Sequence, residues 1–415
     1  MSPMQEARPR GAAAPVGLPA TLLTMTALQA VVALGLFALA TLAPQMGLSV
    51  ERLGRLNLLL FGVGAMAAFA AGALLQRLGG WALAAACAGS VAVGLAALAL
   101  GGERAALFAV LCIGLAFGPE TPASAALLSP ATRHLSPARR ARIYAWRQTG
   151  NQLGAIAGSL SLPALWLLDA RLPFVAGTLL AAGVALACVV LGRRPQAVDA
   201  GVVQAVSQAG AVDGPPWFSA PVQALALATL ALSALQMSLN VFLLSHAVTH
   251  WALAPAAAAG WVALLQAGGL AGRLGWGWLV PAHGRSAGLI AAIGLLASAC
   301  GAVLIGLPGL SSAQPLVFGG LMLVLGASAS GWNGLLVAEV ARLAGPARVG
   351  RWAGRLLGHG YLGLTAAPLL FSTAGSASTP VYAALLAAVA LACALLLAVA
   401  MFSASSTHAR QALPP

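Results

Sequence analysis

The stretch Ser136–Pro163, SPARRARIYAWRQTGNQLGAIAGSLSLP, decides how this chain is read. It opens with three arginines in four residues, Arg139, Arg140 and Arg142. It then becomes an apolar helix carrying Arg147, Gln148, Asn151 and Gln152 among glycines. A segment that starts basic and continues apolar enters a bilayer from the cytoplasmic side. Polar groups inside it are expensive, so they face another helix or a cavity. A diverged copy follows: Pro137-Ala138-Arg139 recurs as Pro346-Ala347-Arg348, and Arg142 matches Arg351. The chain reads as two related membrane halves facing one central pathway.

Composition agrees. Of 415 residues, 60% are hydrophobic and 7% charged, and mean hydropathy is +0.92. Soluble domains carry about 25% charged residues, so this is an integral membrane protein with the bilayer as its first partner. The formal charge of +13 consists of arginines flanking apolar spans. It records topology and not nucleic-acid binding. Lysine is absent, which excludes a Walker A ATPase and any lysine Schiff base. A pump built on this chain draws on an ion or solute gradient unless another subunit supplies energy. Cys87, Cys112, Cys188, Cys300 and Cys393 each lie alone in a different apolar span, as small buried residues. The run from Leu18 to Ala43 is longer than a signal-peptide core and reads as an uncleaved first span.

About 20 apolar residues cross a bilayer. Twelve such spans are expected near 19–43, 54–75, 81–100, 105–128, 142–167, 172–192, 221–245, 257–280, 287–307, 315–338, 350–372 and 379–402. The fold class is therefore all-α: two pseudo-symmetric six-helix bundles, 19–192 and 221–402. A polar, Gly- and Pro-containing linker, 193–220, joins them. Residues 1–18 and 403–415 are expected as cytoplasmic tails. With the N-terminus inside, 17 arginines fall on the cytoplasmic side, leaving only Arg52, Arg55, Arg104 and Arg171 opposite. Removing or adding one span would scramble that bias.

The halves repeat. Gly72, Leu74 and Gly79 end span 2, and Gly277, Leu279 and Gly284 end span 8, in the same G-x-L-x-x-x-x-G spacing. Arg147, Gly150 and Asn151 of span 5 align with Arg355, Gly358 and His359 of span 11. Internal repeats of this kind are common in transporter folds.

These motifs resemble the major facilitator superfamily, whose loop between helices 2 and 3 runs roughly G-x-L-a-D-R-x-G-R. Gly72, Leu74, Arg77 and Gly79 match it, with Gln76 at the acidic position and Gly80 at the last basic one. The second copy keeps Gly277, Leu279, Gly284 and Arg285 and has Pro281 in place of the acid. The resemblance implies twelve helices, no cofactor, and a loop that latches the two halves. Here that latch lacks its acid. The Gly-Pro pair of the antiporter signature is also missing from span 5.

The remaining polar residues frame the chemistry. Glu120 is the one carboxylate well inside a span, and opposite chain directions put it at the depth of Arg147. The two are read either as a structural ion pair or as a proton-coupling acid beside an anion-binding arginine. Gly150, Gly154 and Gly158 form a stripe for close packing or flexing. Trp146, Leu153, Ile156 and Leu160 lie opposite, toward lipid. His359 is a proton-exchange candidate or an interhelical histidine. Gln29 in span 1, Asn151 in span 5, Gln236 and Asn240 in span 7, Gln266 and Arg273 in span 8, and Asn333 in span 10 either line the pathway or bond neighbouring helices. Glu339 is expected to be solvated or capping. His246 and His250 lack the further ligands a metal site needs. No hydrolase or metalloprotease motif is present. The expected function is proton-coupled secondary transport of a small organic solute by a bacterial inner-membrane monomer. Arg147, Arg273 and Arg355 favour an organic anion. A proton-driven exporter, or a sensor that does not transport, are the alternatives.

Overall fold

The computed structural model describes residues 16–132, 135, 137–194, 218–280, 286–344, 349–374 and 377–411. Most of the linker, the second-copy residues Gly284 and Arg285, the side chain of Arg355 and the first fifteen residues lie outside this set.

The first half holds α1 (Leu18–Leu42), α2 (Val50–Leu78), α3 (Gly80–Leu100), α4 (Glu103–Thr132), α5 (Pro137–Leu168) and α6 (Leu172–Gly192). The second holds α7 (Ala220–Val241), α8 (Leu243–His250), α9 (Pro255–Gly275), α10 (Ala287–Gly306), α11 (Pro315–Gly331), α12 (Asn333–Ala344), α13 (Val349–Ala374) and α14 (Ser378–Gln411). α7 with α8, and α11 with α12, each make one span broken at a single residue. Phe242 and Trp332 are those residues. The twelve expected spans are therefore all helical, and the fold is two six-helix bundles.

Some boundaries differ from expectation. The second-copy motif leaves the α-helix early, so Gly277 and Leu279 sit in a 3₁₀ turn, Trp276–Leu279. In the first copy α2 stays helical through Leu78. Gly79 then turns the chain at φ 77°, a region costly for any side-chain-bearing residue. The last helix runs through the expected C-terminal tail to Gln411, because no Gly or Pro interrupts residues 403–411.

The two halves pack in the same pairwise order. In the first, α2 lies on α4, α1 on α5, and α3 on α4 and α6. In the second, α9 lies on α11, α7 on α13, and α10 on α11 and α14. Across the seam α5 meets α9 and α2 meets α13. Glycines permit the closest crossings, by bringing one helix against a carbonyl oxygen of the next. Gly114 faces Leu60 and Gly118 faces Gly64 between α2 and α4. Gly268, Gly272 and Gly326 do the same between α9 and α11. Gly150 and Gly154 of the stripe press on Thr26 and Ala30 of α1, and Gly363 presses on Leu230 of α7. Gly54 meets backbone atoms of Pro368 and Ser372 across the seam. That contact closes the end of the bundles away from the chain termini.

Among the described residues nine helices are long and apolar enough to cross a membrane by composition. The three long helices outside that set are α5, α9 and α13, which carry Arg147, Gln266 with Arg273, and His359. All three face the seam, so polarity has been moved from the lipid surface to the centre. Consistently, Trp146, Leu153 and Leu160 lie exposed on the outer face of α5.

A side chain at Gly154 has no space against Ala30, whereas Gly62 has nothing within 4 Å. Gly154→Leu should lower stability by about 1–3 kcal/mol or more, as overpacking does. Gly62→Ala should be near neutral. Melting temperatures of the two purified variants check this.

Candidate functional site

The centre of the first bundle is a buried ion pair. Glu120 on α4 and Arg147 on α5 are 4% and 2% exposed. Arg147 Nη2 donates to Glu120 Oε1 and also to Ser124 Oγ at 3.0 Å. Thr121 Oγ1 donates to Glu120 Oε2 at 2.9 Å and lies 3.5 Å from Arg147 Nη1. A single charge left unpaired at membrane depth costs at least about 2.5–3.5 kcal/mol. The pairing, with two hydroxyls helping, removes most of that. Ser124 is one helical turn beyond Glu120 and packs on the same side. Pro119 and Pro122 lie inside α4 on either side of the acid, loosening the local backbone hydrogen bonding.

The pair faces the other bundle. Phe117, one turn before Glu120, packs edge-on against Tyr361 of α13 with centroids 6.3 Å apart. Arg273 on α9 lies within electrostatic reach of Arg147. Beside the pair, Gln29 Nε2 of α1 donates to Gln148 Oε1 of α5 at 3.0 Å. In the second bundle Gln266 Nε2 donates to Asn240 Oδ1 at 2.7 Å, joining α9 to α7. Asn333 Nδ2 lies 3.4 Å from Gln236 Oε1 and 3.2 Å from the Ser330 carbonyl of α11. Asn333 begins α12, at the break in its span.

Most of the expected residues thus act as interhelical partners within their own bundle. Asn151 and His359 are half-buried on α5 and α13. The motif residues Gly72, Arg77 and Gly79 are exposed at the end of α2, with Leu74 half-buried. Glu339 departs from the solvated reading. It is 1% exposed, pairs with Arg342 and accepts the Ser286 backbone N–H at 2.6 Å, capping α10. It does cap, and burial follows because that cap lies inside the bundle. His246 and His250 stack with ring centroids 4.5 Å apart. His246 Nδ1 is hydrogen-bonded to Ser378 at 2.8 Å, so the pair belongs to the packing between α8 and α14. Among the described residues no group of three or more His, Cys, Asp or Glu could hold a metal.

Sequence reading missed Ser124, Thr121 and Tyr361 as members of the site, whereas it grouped Ser330 with Asn333 in span 10. It noticed Gln152 without assigning it a role. The i, i+4 spacing from Glu120 to Ser124, and from Gln148 to Gln152, was the available signal. Asn57 was also overlooked. It is buried on α2, donates to the Leu53 carbonyl at 2.9 Å, and leaves its Oδ1 without a partner.

By sequence, neither a known protein family nor a curated protein matches the chain. By fold, the chain is similar to solved membrane transporters. One is a bacterial homologue of the human lysosomal transporter Spinster, in an inward-facing and occupied conformation. It has 15% identity and a TM-score of 0.64, with 95% of this chain and 98% of that one covered. Another is a variant of the peptide transporter POT, at 16% identity and a TM-score of 0.65, covering 92% and 93%. A third is the human organic anion transporter MFSD10 (TETRAN), at 18% identity and a TM-score of 0.63, covering 91% and 99%. The chain has the twelve-helix, two-bundle fold of the major facilitator superfamily and is a multi-pass membrane protein.

Removing one partner of a buried pair costs about 3–5 kcal/mol, because the other charge is left uncompensated. Glu120→Ala and Arg147→Ala should each destabilise strongly, and the double variant should lose clearly less than their sum. A double-mutant cycle on melting temperature reads this coupling. Additive losses would show that the two groups do not act as a pair.

Proposed function

We propose that the chain is a secondary active transporter. It carries a small organic solute along the seam between its bundles by alternating access. The observation that carries this reading is the buried Glu120–Arg147 pair facing α9 and α13, in a fold whose three polar long helices all line that seam. Intramembrane acids with a basic partner suit proton relay. Protonation of Glu120 would release Arg147 to an anionic group, and leaving of the proton would restore the pair. Movement of solute and proton together follows, as in a symporter. Arg147 and Arg273 against the single carboxylate Glu120 leave a net positive centre, which favours an organic anion over a cation.

Arginine placement supports a bacterial inner membrane with both termini in the cytoplasm. The pathway lies between the two halves of one chain, so a monomer suffices. The Gly54 contact closes the bundles at the end away from the termini, which in this orientation is one limit of alternating access.

Glu120→Gln keeps the shape and a hydrogen-bonding group but removes the titrating proton. In proteoliposomes it should abolish accumulation driven by a pH gradient and leave solute counterflow intact. Retained pH-driven uptake would remove Glu120 from coupling. Single cysteines placed between 195 and 217 in a Cys-free background should react with an impermeant maleimide only after the cells are permeabilised. Labelling of intact cells would reverse the assigned orientation.

A further inference from the structure

Gln152 on α5 is completely buried, and neither its Oε1 nor its Nε2 has a hydrogen-bond partner among the protein's atoms. A buried carboxamide with both ends unpaired is costly, and native interiors rarely keep one without a reason. Its place is defined from across the seam. A Cβ built on Gly269 of α9 would lie 3.5 Å from Gln152 Nε2 and 3.4 Å from Ser330 Oγ of α11. The carboxamide therefore sits where α5, α9 and α11 meet, in the space that the missing Gly269 side chain leaves.

Other unpaired atoms lie on two of these helices, α5 and α9. Gln266 and Arg273 lie three residues before and four after Gly269, on the same face of α9. Gln266 Oε1 and Arg273 Nε are buried without partners, and so is Arg147 Nε on α5. Among the described residues Arg273 makes no ion pair, and the nearby Glu120 is already engaged by Arg147. The seam thus offers three unused donors, two of them on guanidinium groups, and two unused acceptors, with one positive charge in excess.

The geometry points to a binding site on this seam for a small carboxylate that also carries a neutral hydrogen-bond donor, as hydroxy acids do. Gln152 is the residue that selects for the donor. The carboxylate neutralises the excess charge and accepts from Arg273, Arg147 and Gln152 Nε2. The hydroxyl group donates to Gln152 Oε1 or Gln266 Oε1. An analogue without the donor leaves those acceptors buried and unpaired, which is the strongest basis for rejection such a site can have. This inference narrows the solute of the transport reading and rests on it for the location of the site. It is tested by binding without flux, so either can fail while the other stands.

Purified full-length protein in detergent is melted with matched probes. Lactate and mandelate carry a carboxylate and a donor. Propionate and phenylacetate keep the carboxylate and lack the donor. Lactamide keeps the donor and lacks the charge. At least one donor-bearing acid should raise the melting temperature, and its donor-free partner should need at least about tenfold more for the same shift. Lactamide should have no effect. Gln152→Leu should erase the difference within each pair. It should also raise the melting temperature of the ligand-free protein, because it removes two polar groups that are buried without protein partners. A residue held by ordinary structural hydrogen bonds would give the opposite sign. Gln152→Met supplies the same readouts if the leucine variant does not accumulate. Equal response to both members of every pair, stabilisation by none of the donor-bearing acids, or a lowered ligand-free melting temperature in both variants would overturn the proposal.

Discussion

A guanidinium and a carboxylate placed at membrane depth have almost nothing but each other to replace water. The pairing of Arg147 with Glu120 answers that constraint and organises the first bundle around it. The pair ties α4 to α5, and α1 packs against both helices. Ser124 and Thr121 take up part of the remaining hydrogen-bonding capacity. Strong local interaction here is compatible with change, because on the proposed mechanism one proton or one competing anion opens the pair. Neutral amide contacts such as Gln266 with Asn240 offer no such handle.

The halves share their packing and differ in their chemistry. Equivalent helix pairs meet in both, and glycine-to-carbonyl crossings recur at the α2–α4 and α9–α11 interfaces. Yet on the helices that meet at the α5–α9 seam, α5 holds Arg147 compensated by Glu120, while α9 holds Gln266 bonded to Asn240 and Arg273 with its Nε unpartnered. Two broken spans, at Phe242 and Trp332, occur in the second half. Repetition supplies the scaffold, and divergence at the seam supplies an asymmetric site.

Much of this was legible in the residues. Hydropathy and arginine placement revealed twelve spans, because both are set by the bilayer and act on each segment separately. Glu120 could be matched with Arg147 from depth alone, since few groups compete for an ion there. What escaped reading depends on side chains from distant segments. The break at Phe242 lies between Val241 and Leu243 with no Gly or Pro beside it, and the one at Trp332 falls among Gly331, Asn333 and Gly334, which elsewhere in this chain continue a helix. Phe242 stacks on Phe371 at 4.1 Å, a contact no local pattern reveals. Glu339 looked like a surface acid because its partner N–H belongs to Ser286, on another helix. Gln152 stood in plain view beside Gln148, but only the absence of partners distinguishes it.

The backbone contact at Gly54 has a consequence for the proposed transport cycle. There the barrier to the far side consists of main chain touching main chain, with Pro368 and Ser372 as the opposing wall. Such a door has no flexible side chain to absorb an intruding methyl group. Any atom added at position 54 strains this closed arrangement, whose opposing wall is backbone. On the proposed transport cycle, each 1.4 kcal/mol of that strain would move the ratio of closed to open forms about tenfold. The bare α-carbon of Gly54 is what the closed form depends on at this contact.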